Sequence, residues 1–175
     1  MTGVAPEELV LRPPGPRDEA QVRRAASEVD SERFTFLSGA DRPWDEILRA
    51  LDSERRGVNL APGRVRADYL LAVVGPDVVG RTSIRYELND FLLQVGGHVG
   101  YAVRPAFRRR GYATRILELS LAELRRAGVQ RALVTCDDDN AASAAIITRR
   151  GGVLEDMRRE SPGVVPKRRY WIDLG

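Results

Sequence analysis

Residues 98–128, HVGYAVRPAFRRRGYATRILELSLAELRRAG, constrain the fold more than any other stretch. The run from His98 carries β-branched and aromatic side chains and stops at Pro105, which lacks the N–H that a sheet ladder needs. From Tyr112 onward, Ala113, Ile116, Leu117, Ser120, Leu121 and Leu124 recur at helical spacing on one face. Gly128 follows at the position where a left-handed residue ends a helix. A strand must therefore hand over to a helix within a short loop, and Gly111 lies in that loop.

Elements of the same kind flank this unit. ELVLRPP (8–14) predicts a first strand halted by Pro13 and Pro14, and apolar spacing predicts helices over 18–29 and 44–51. Residues 52–66 are polar and glycine-containing and read as a loop, followed by strands over 67–75 and 78–88 joined at Gly75-Pro76-Asp77. RALVTC (131–136) reads as a strand, Asn140 as the cap of a helix over 141–150, and RYWIDL (169–174) as a closing strand. The order β-α-α-β-β-β-α-β-α-β places the chain in the α/β or α+β class with a mixed sheet. The expected organisation is a tail over 1–8 and a single domain over 9–175.

Charge narrows the function classes. The 28 basic residues are offset by 25 acidic ones, and the basic clusters are short: Arg108 to Arg110, Arg149–Arg150 and Lys167 to Arg169. A nucleic-acid binder concentrates its positive charge on one face and interleaves aromatic side chains, which argues against that class here. The single Cys136 excludes an internal disulfide, and with one histidine, His98, it leaves no metal-ligand cluster. No apolar run is long enough to span a bilayer and MTGVAPEELV has no secretory pattern, so a cytoplasmic location is expected.

The loop at 106–111 has the means to bind an anion. The first turn of a helix leaves backbone N–H groups unpaired, and the helix dipole adds partial positive charge there. Gly111 allows close approach of the backbone, and Arg108, Arg109 and Arg110 offer guanidinium forks. The same residues would also suit a helix start beside a solvated arginine run. They form neither a P-loop nor the glycine pattern of dinucleotide folds.

The wider context resembles the GCN5-related N-acetyltransferase (GNAT) family. Arg108, Gly111 and Ala113 match its Arg/Gln-x-x-Gly-x-Gly/Ala motif, preceded by Val103 and Pro105 as at the family's strand end. Asn140 and Gly151 match a second motif, Asn-x-x-Ala-x(7)-Gly, with Ser143 in place of the alanine. The element order agrees over about 9–175. The resemblance implies a mixed, mostly antiparallel central sheet flanked by helices and acetyl-CoA as co-substrate. It implies that the backbone of Arg108, Arg109, Arg110, Gly111, Tyr112, Ala113 and Thr114 holds the pyrophosphate. The main chain of Tyr101, Ala102, Val103 and Arg104 would pair with the pantetheine arm, and Asn140 and Ser143 would complete the coenzyme contacts.

Acetyl transfer to a primary amine of a small molecule or peptide needs a base, because such an amine is protonated at neutral pH. His98 and Glu87 are the candidates: His98 opens the strand where related enzymes often carry a glutamate, and Glu87 ends the preceding strand. Each also reads as structural, His98 as a satisfied core histidine and Glu87 as a solvated carboxylate. The family's usual acid, a tyrosine seven residues after the motif asparagine, is replaced by Ile147, leaving water, or a tyrosine such as Tyr101 or Tyr112, to supply the proton. Cys136 offers a covalent route. Asp137 to Asp139 either cap the following helix or attract a cationic acceptor, and Trp44 and Phe34 to Phe36 belong to the core or to an acceptor pocket. A coenzyme-binding sensor without efficient chemistry is the alternative function, and a homodimer is compatible with either.

Overall fold

The computed structural model describes residues 6–30 and 34–175; residues 1–5 of the expected tail lie outside the described residues. Seven strands form one sheet in the order β1-β2-β3-β4-β5-β7-β6, with helices flanking a mostly antiparallel ladder and β4 parallel to β5. The mixed α/β class and the sheet type expected from sequence are both present. Two compact units divide the chain, Met1–Ser83 with Tyr101–Ile116, and Ile84–Gly100 with Leu117–Gly175.

In the first unit β1 (Val10–Arg12) pairs antiparallel with β2 (Ala67–Val74), Val10 opposite Val73 and Arg12 opposite Leu71. A tight turn at Gly75–Pro76 leads into β3 (Asp77–Arg85). Helix α1 (Glu19–Val29) buries Val22, Ala25, Ala26 and Val29, the stripe expected from its spacing. Helix α2 (Trp44–Arg56) buries Trp44 and Ile47, and the two helices share a core with Leu71, Val73 and Val78. Helix α2 runs five residues past the expected end at Leu51. Its last turns are polar and carry no apolar signal, and Gly57, at φ 67°, supplies the left-handed stop. Trp44 donates its indole N–H to the Gly15 carbonyl at 3.1 Å, which makes it a core residue rather than a pocket wall. Asp18 fixes the turn after β1, accepting the Gly15 N–H at 2.7 Å and pairing with Arg12 at 2.7 Å.

In the second unit β5 (Arg131–Asp137) meets the start of β4 (Val99–Val103), Val99 opposite Val134. It pairs antiparallel with β7 (Lys167–Asp173) over its whole length. Helix α3 (Tyr112–Arg126) begins in the first unit and continues here. Helix α4 (Ala141–Arg149) is capped as expected, Asn140 Oδ1 accepting the Ser143 N–H at 3.0 Å. The outermost strand, β6 (Val153–Arg158), has no counterpart among the expected elements. Its sequence, VLEDMR, lacks the apolar-polar alternation of a half-buried strand because most of its side chains are exposed. A π-helical turn over Leu92–Gly96 links β3 to β4.

Candidate functional site

Strand β4 ends at Pro105, which opens a 3-10 turn over Pro105–Phe107, and the chain then makes two left-handed steps before α3. Arg109 sits at φ 62° and Gly111 at φ 82°. A non-glycine residue pays about 1 kcal/mol to adopt that conformation, so Arg109 marks a backbone held in place by its surroundings. The turn is tied down from both sides. Arg108 Nε donates to the Val103 carbonyl at 3.1 Å, and Arg110 Nη2 to the Ala106 carbonyl at 3.2 Å. The Arg110 guanidinium also lies over the Phe107 ring, 5.7 Å from its centroid.

The chain then enters α3 with the Arg115 N–H on the Gly111 carbonyl at 3.1 Å. By helix geometry the N–H groups of the first turn, Ala113 and Thr114 among them, point out of its N-terminus. No acidic residue stands in that turn, and Arg108, Arg109, Arg110 and Gly111 are exposed. The loop therefore sets a helix start beside three exposed arginines, the arrangement that suits a phosphate.

Strand alternation decides which β4 groups can serve a ligand. The Arg104 N–H donates to Val79 O at 2.9 Å, and the Ala102 carbonyl lies so close to Gly80 that a Cβ there would approach it to 2.3 Å. Ala102 and Arg104 thus turn their main-chain groups toward β3, and Tyr101 and Val103 turn theirs to the opposite side. Of the expected coenzyme set on this strand, Tyr101 and Val103 are therefore the residues whose main chain faces away from β3. The Arg104 side chain is also committed: Nε and Nη2 each reach the Glu28 carboxylate at 2.9 Å, and Nη1 reaches Val78 O at 2.9 Å. It is buried, and its charge holds the Glu28 carboxyl below the usual carboxylate range. Tyr112 is buried at the start of α3, and Tyr101 is half-buried with its hydroxyl oxygen shielded from solvent.

In the second unit His98 is occupied structurally. Its Nδ1 accepts the Leu133 N–H at 2.9 Å, its own N–H donates to Leu133 O at 2.7 Å, and its ring stands edge-on to Trp171. Burial, assisted by the Arg85 charge, lowers its pKa to about 4. A buried ring that already accepts a main-chain hydrogen bond is a poor base, so these contacts favour the structural reading of His98 over that of general base. Glu87, by contrast, is exposed in the bend after β3.

The lowered pKa has a sign that can be measured. Below pH 6.5 the unfolded chain takes a proton on His98 that the folded chain refuses until about pH 4, so stability falls as pH drops through that window. Unfolding by urea is expected to show a loss of about 2 kcal/mol between pH 8 and pH 5. His98→Gln, which keeps an acceptor for Leu133, is expected to flatten that slope; an unchanged slope would show that His98 titrates normally.

The remaining candidates resolve in the same unit. Cys136 is buried with its thiol pushed up to about 11 by desolvation, which leaves it protonated and unsuited to covalent transfer. Asp137 pairs with Lys167 at 2.5 Å and Asp138 with Arg168 at 2.6 Å, so β7 neutralises these two carboxylates of the acidic turn. Asn140 and Ser143 form the α4 cap, and Ile147 is fully buried. Among the described residues no group of three His, Cys, Asp or Glu is placed to hold a metal, and no helix is long and apolar enough to cross a membrane.

Arg81, in the first unit, is a residue the motifs do not mark. Buried on β3, it donates Nε to Phe36 O at 3.1 Å and Nη2 to Thr35 O, and lies 4.3 Å over the Phe34 ring. It fixes the main chain of the segment entering α2. The signal in the sequence is an arginine that follows the apolar Val78 and Val79 on a largely buried strand.

No curated protein matches the chain. Among solved structures the chain is similar to RimJ of Mycobacterium smegmatis in complex with CoA-disulfide, at 21% identity over 94% of this chain and 81% of that one, with a TM-score of 0.72. It is similar to an acetyltransferase of the GNAT family from Streptococcus pneumoniae, at 18% identity over 96% and 100% of the two chains, TM-score 0.68. It is also similar to yncA from Salmonella typhimurium, solved with acetyl-CoA, at 16% identity over 96% and 95%, TM-score 0.66. At these identities the likeness is one of fold. The model of the acetyltransferase (GNAT) domain matches residues 8–153, most of the sequence including the loop and helix start described above, and the chain belongs to that family.

Proposed function

We propose that this GNAT domain is an acetyl-CoA-dependent N-acetyltransferase that acetylates a primary amine of a small molecule or peptide by direct transfer. The observation that carries this reading is the loop at 108–113: an exposed, left-handed backbone leading into a helix start, rimmed by three arginines and free of acidic side chains in the first helical turn. Such a loop fits a pyrophosphate. Acetyl-CoA supplies the activated acyl group. In this reading the N–H groups from Arg109 to Thr114 hold the pyrophosphate, Arg109 and Arg110 neutralise it, and the main chain of Tyr101 and Val103 pairs with the pantetheine arm.

Removing the amine proton falls to Glu87, directly or through water, because it is the exposed candidate and His98 is committed to Leu133. The leaving thiolate takes its proton from water, since Ile147 occupies the place of the family's tyrosine and is fully buried.

Calorimetric titration with acetyl-CoA, followed by thiol release on a broad amine panel, tests the proposal. Binding with a Kd of about 1 μM (about −8 kcal/mol) and amine-dependent release of coenzyme A are expected. A folded protein that does not bind acetyl-CoA would overturn it. Binding without release on any amine would favour a coenzyme A sensor, the reading that the Ile147 substitution supports.

A further inference from the structure

Gly80 lies within β3 and faces the main chain of β4 at Ala102 and Val103, all three in the first unit. A Cβ at Gly80 would stand 2.3 Å from the Ala102 carbonyl oxygen, 3.2 Å from Val103 Cα and 3.3 Å from the Ala102 carbonyl carbon. All three atoms are backbone, so no side chain can swing aside to make room. The φ of Gly80 is not positive, so its own backbone would accept an L side chain. The need for glycine therefore comes from β4 alone. Gly100, within β4, differs: a Cβ there would meet only the end of the Arg85 side chain, no closer than 3.5 Å.

Arg104 keeps β4 from retreating. Its N–H donates to Val79 O at 2.9 Å and its Nη1 to Val78 O at 2.9 Å, which fastens β4 to the two residues just before Gly80. Carbon and carbonyl oxygen on adjacent strands stay about 3.3 Å apart, so a side chain at 80 must displace the Ala102 oxygen by about 1 Å. The peptide unit is planar, and turning the Ala102 carbonyl therefore turns the Val103 N–H at its other end. That N–H is the one directed away from β3.

We propose that Gly80 is a positioning residue for the coenzyme strand: its missing side chain sets the tilt of the Ala102–Val103 peptide and so aims the Val103 N–H at the pantetheine arm. The inference rests on the coenzyme reading of β4. Gly80 acts through Ala102 and does not itself touch the ligand.

The full chain is titrated with acetyl-CoA and with adenosine 3′-phosphate 5′-diphosphate, which carries the coenzyme's phosphates without its pantetheine arm. Gly80→Ala is expected to weaken acetyl-CoA about 10-fold or more, as a displacement of about 1 Å does, and to leave affinity for the nucleotide unchanged. Val29→Ala, a cavity at a buried position of α1, is expected to lower the urea midpoint and keep both affinities. That variant separates lost stability from lost aim. Hydrogen exchange of the Val103 amide in the parent needs no variant: acetyl-CoA is expected to slow it about 10-fold or more, and the nucleotide to leave it unchanged.

A parent that binds neither ligand would overturn the coenzyme reading itself. A folded Gly80→Ala that binds acetyl-CoA like the parent, or that loses both ligands alike, would overturn the role of Gly80 alone. So would a Val103 amide that acetyl-CoA leaves unprotected.

Discussion

Gly111→Glu is expected to abolish acetyl-CoA binding, with a loss of at least about 100-fold in affinity, or about 2.7 kcal/mol. Three physical causes act together. At φ 82° an L side chain is strained, so the loop must refold to accept one. A Cβ at this position would stand 3.0 Å from Pro6 Cγ, tighter than ordinary contact, so the N-terminal turn must also give way. The added carboxylate then brings negative charge to a helix start whose N–H groups and neighbouring arginines suit an anion. Gly128→Ala provides the comparison: it meets a similar backbone penalty at φ 87°, where nothing lies within 4 Å of the new Cβ. That variant should lose about 1 kcal/mol of stability and keep full affinity in the same titration. If Gly111→Glu binds like the parent while remaining folded, the phosphates do not sit at this loop.

Arg104→Leu is expected to cost about 2–3 kcal/mol of stability, read as a lower urea midpoint with an unchanged m-value. The buried guanidinium makes two bonds to Glu28, one to Val78 O and a stacking contact with the Phe107 ring at 5.2 Å. Removing it takes that donor from the Val78 carbonyl and the bidentate ion pair from Glu28. Glu28 is about one-third exposed and can hydrate, which keeps the loss below that of a fully buried pair. Glu28→Gln, which retains an acceptor for the guanidinium but leaves its charge uncompensated, is expected to fall between parent and Arg104→Leu. Stability within about 0.5 kcal/mol of the parent for both variants would show that the pair contributes nothing.

The acid response separates Glu28 from His98. The Glu28 carboxyl has a lowered pKa, so its pairing stabilises the fold above the usual carboxylate range and is lost as pH falls through the folded value. The His98 effect acts at higher pH, between 6.5 and about 4. Stability curves of Arg104→Leu and His98→Gln should therefore diverge from the parent in different pH windows.

Much of the site was legible because it is made of short-range chemistry. Pro105 ends β4, the apolar stripe from Ala113 to Leu124 builds α3, and Gly111 takes the left-handed conformation between them. Asn140 caps α4 by a bond to a residue three positions away. Each depends on sterics or hydrogen bonds within a few residues, and for that reason a linear reading reaches them.

What only the tertiary structure decided is the role of each charged or titratable group. Arg104 reads as part of the coenzyme strand until Glu28, 76 positions away, claims its guanidinium. His98 reads as a base until Leu133, 35 positions away, occupies its Nδ1 and burial drives its pKa down. Strand β6 escapes notice because its exposed side chains leave no periodic pattern, and only the register with β7 makes it a strand. Backbone conformation answers to neighbours in the chain. Protonation and pairing answer to desolvation and to partners that folding brings from far along it.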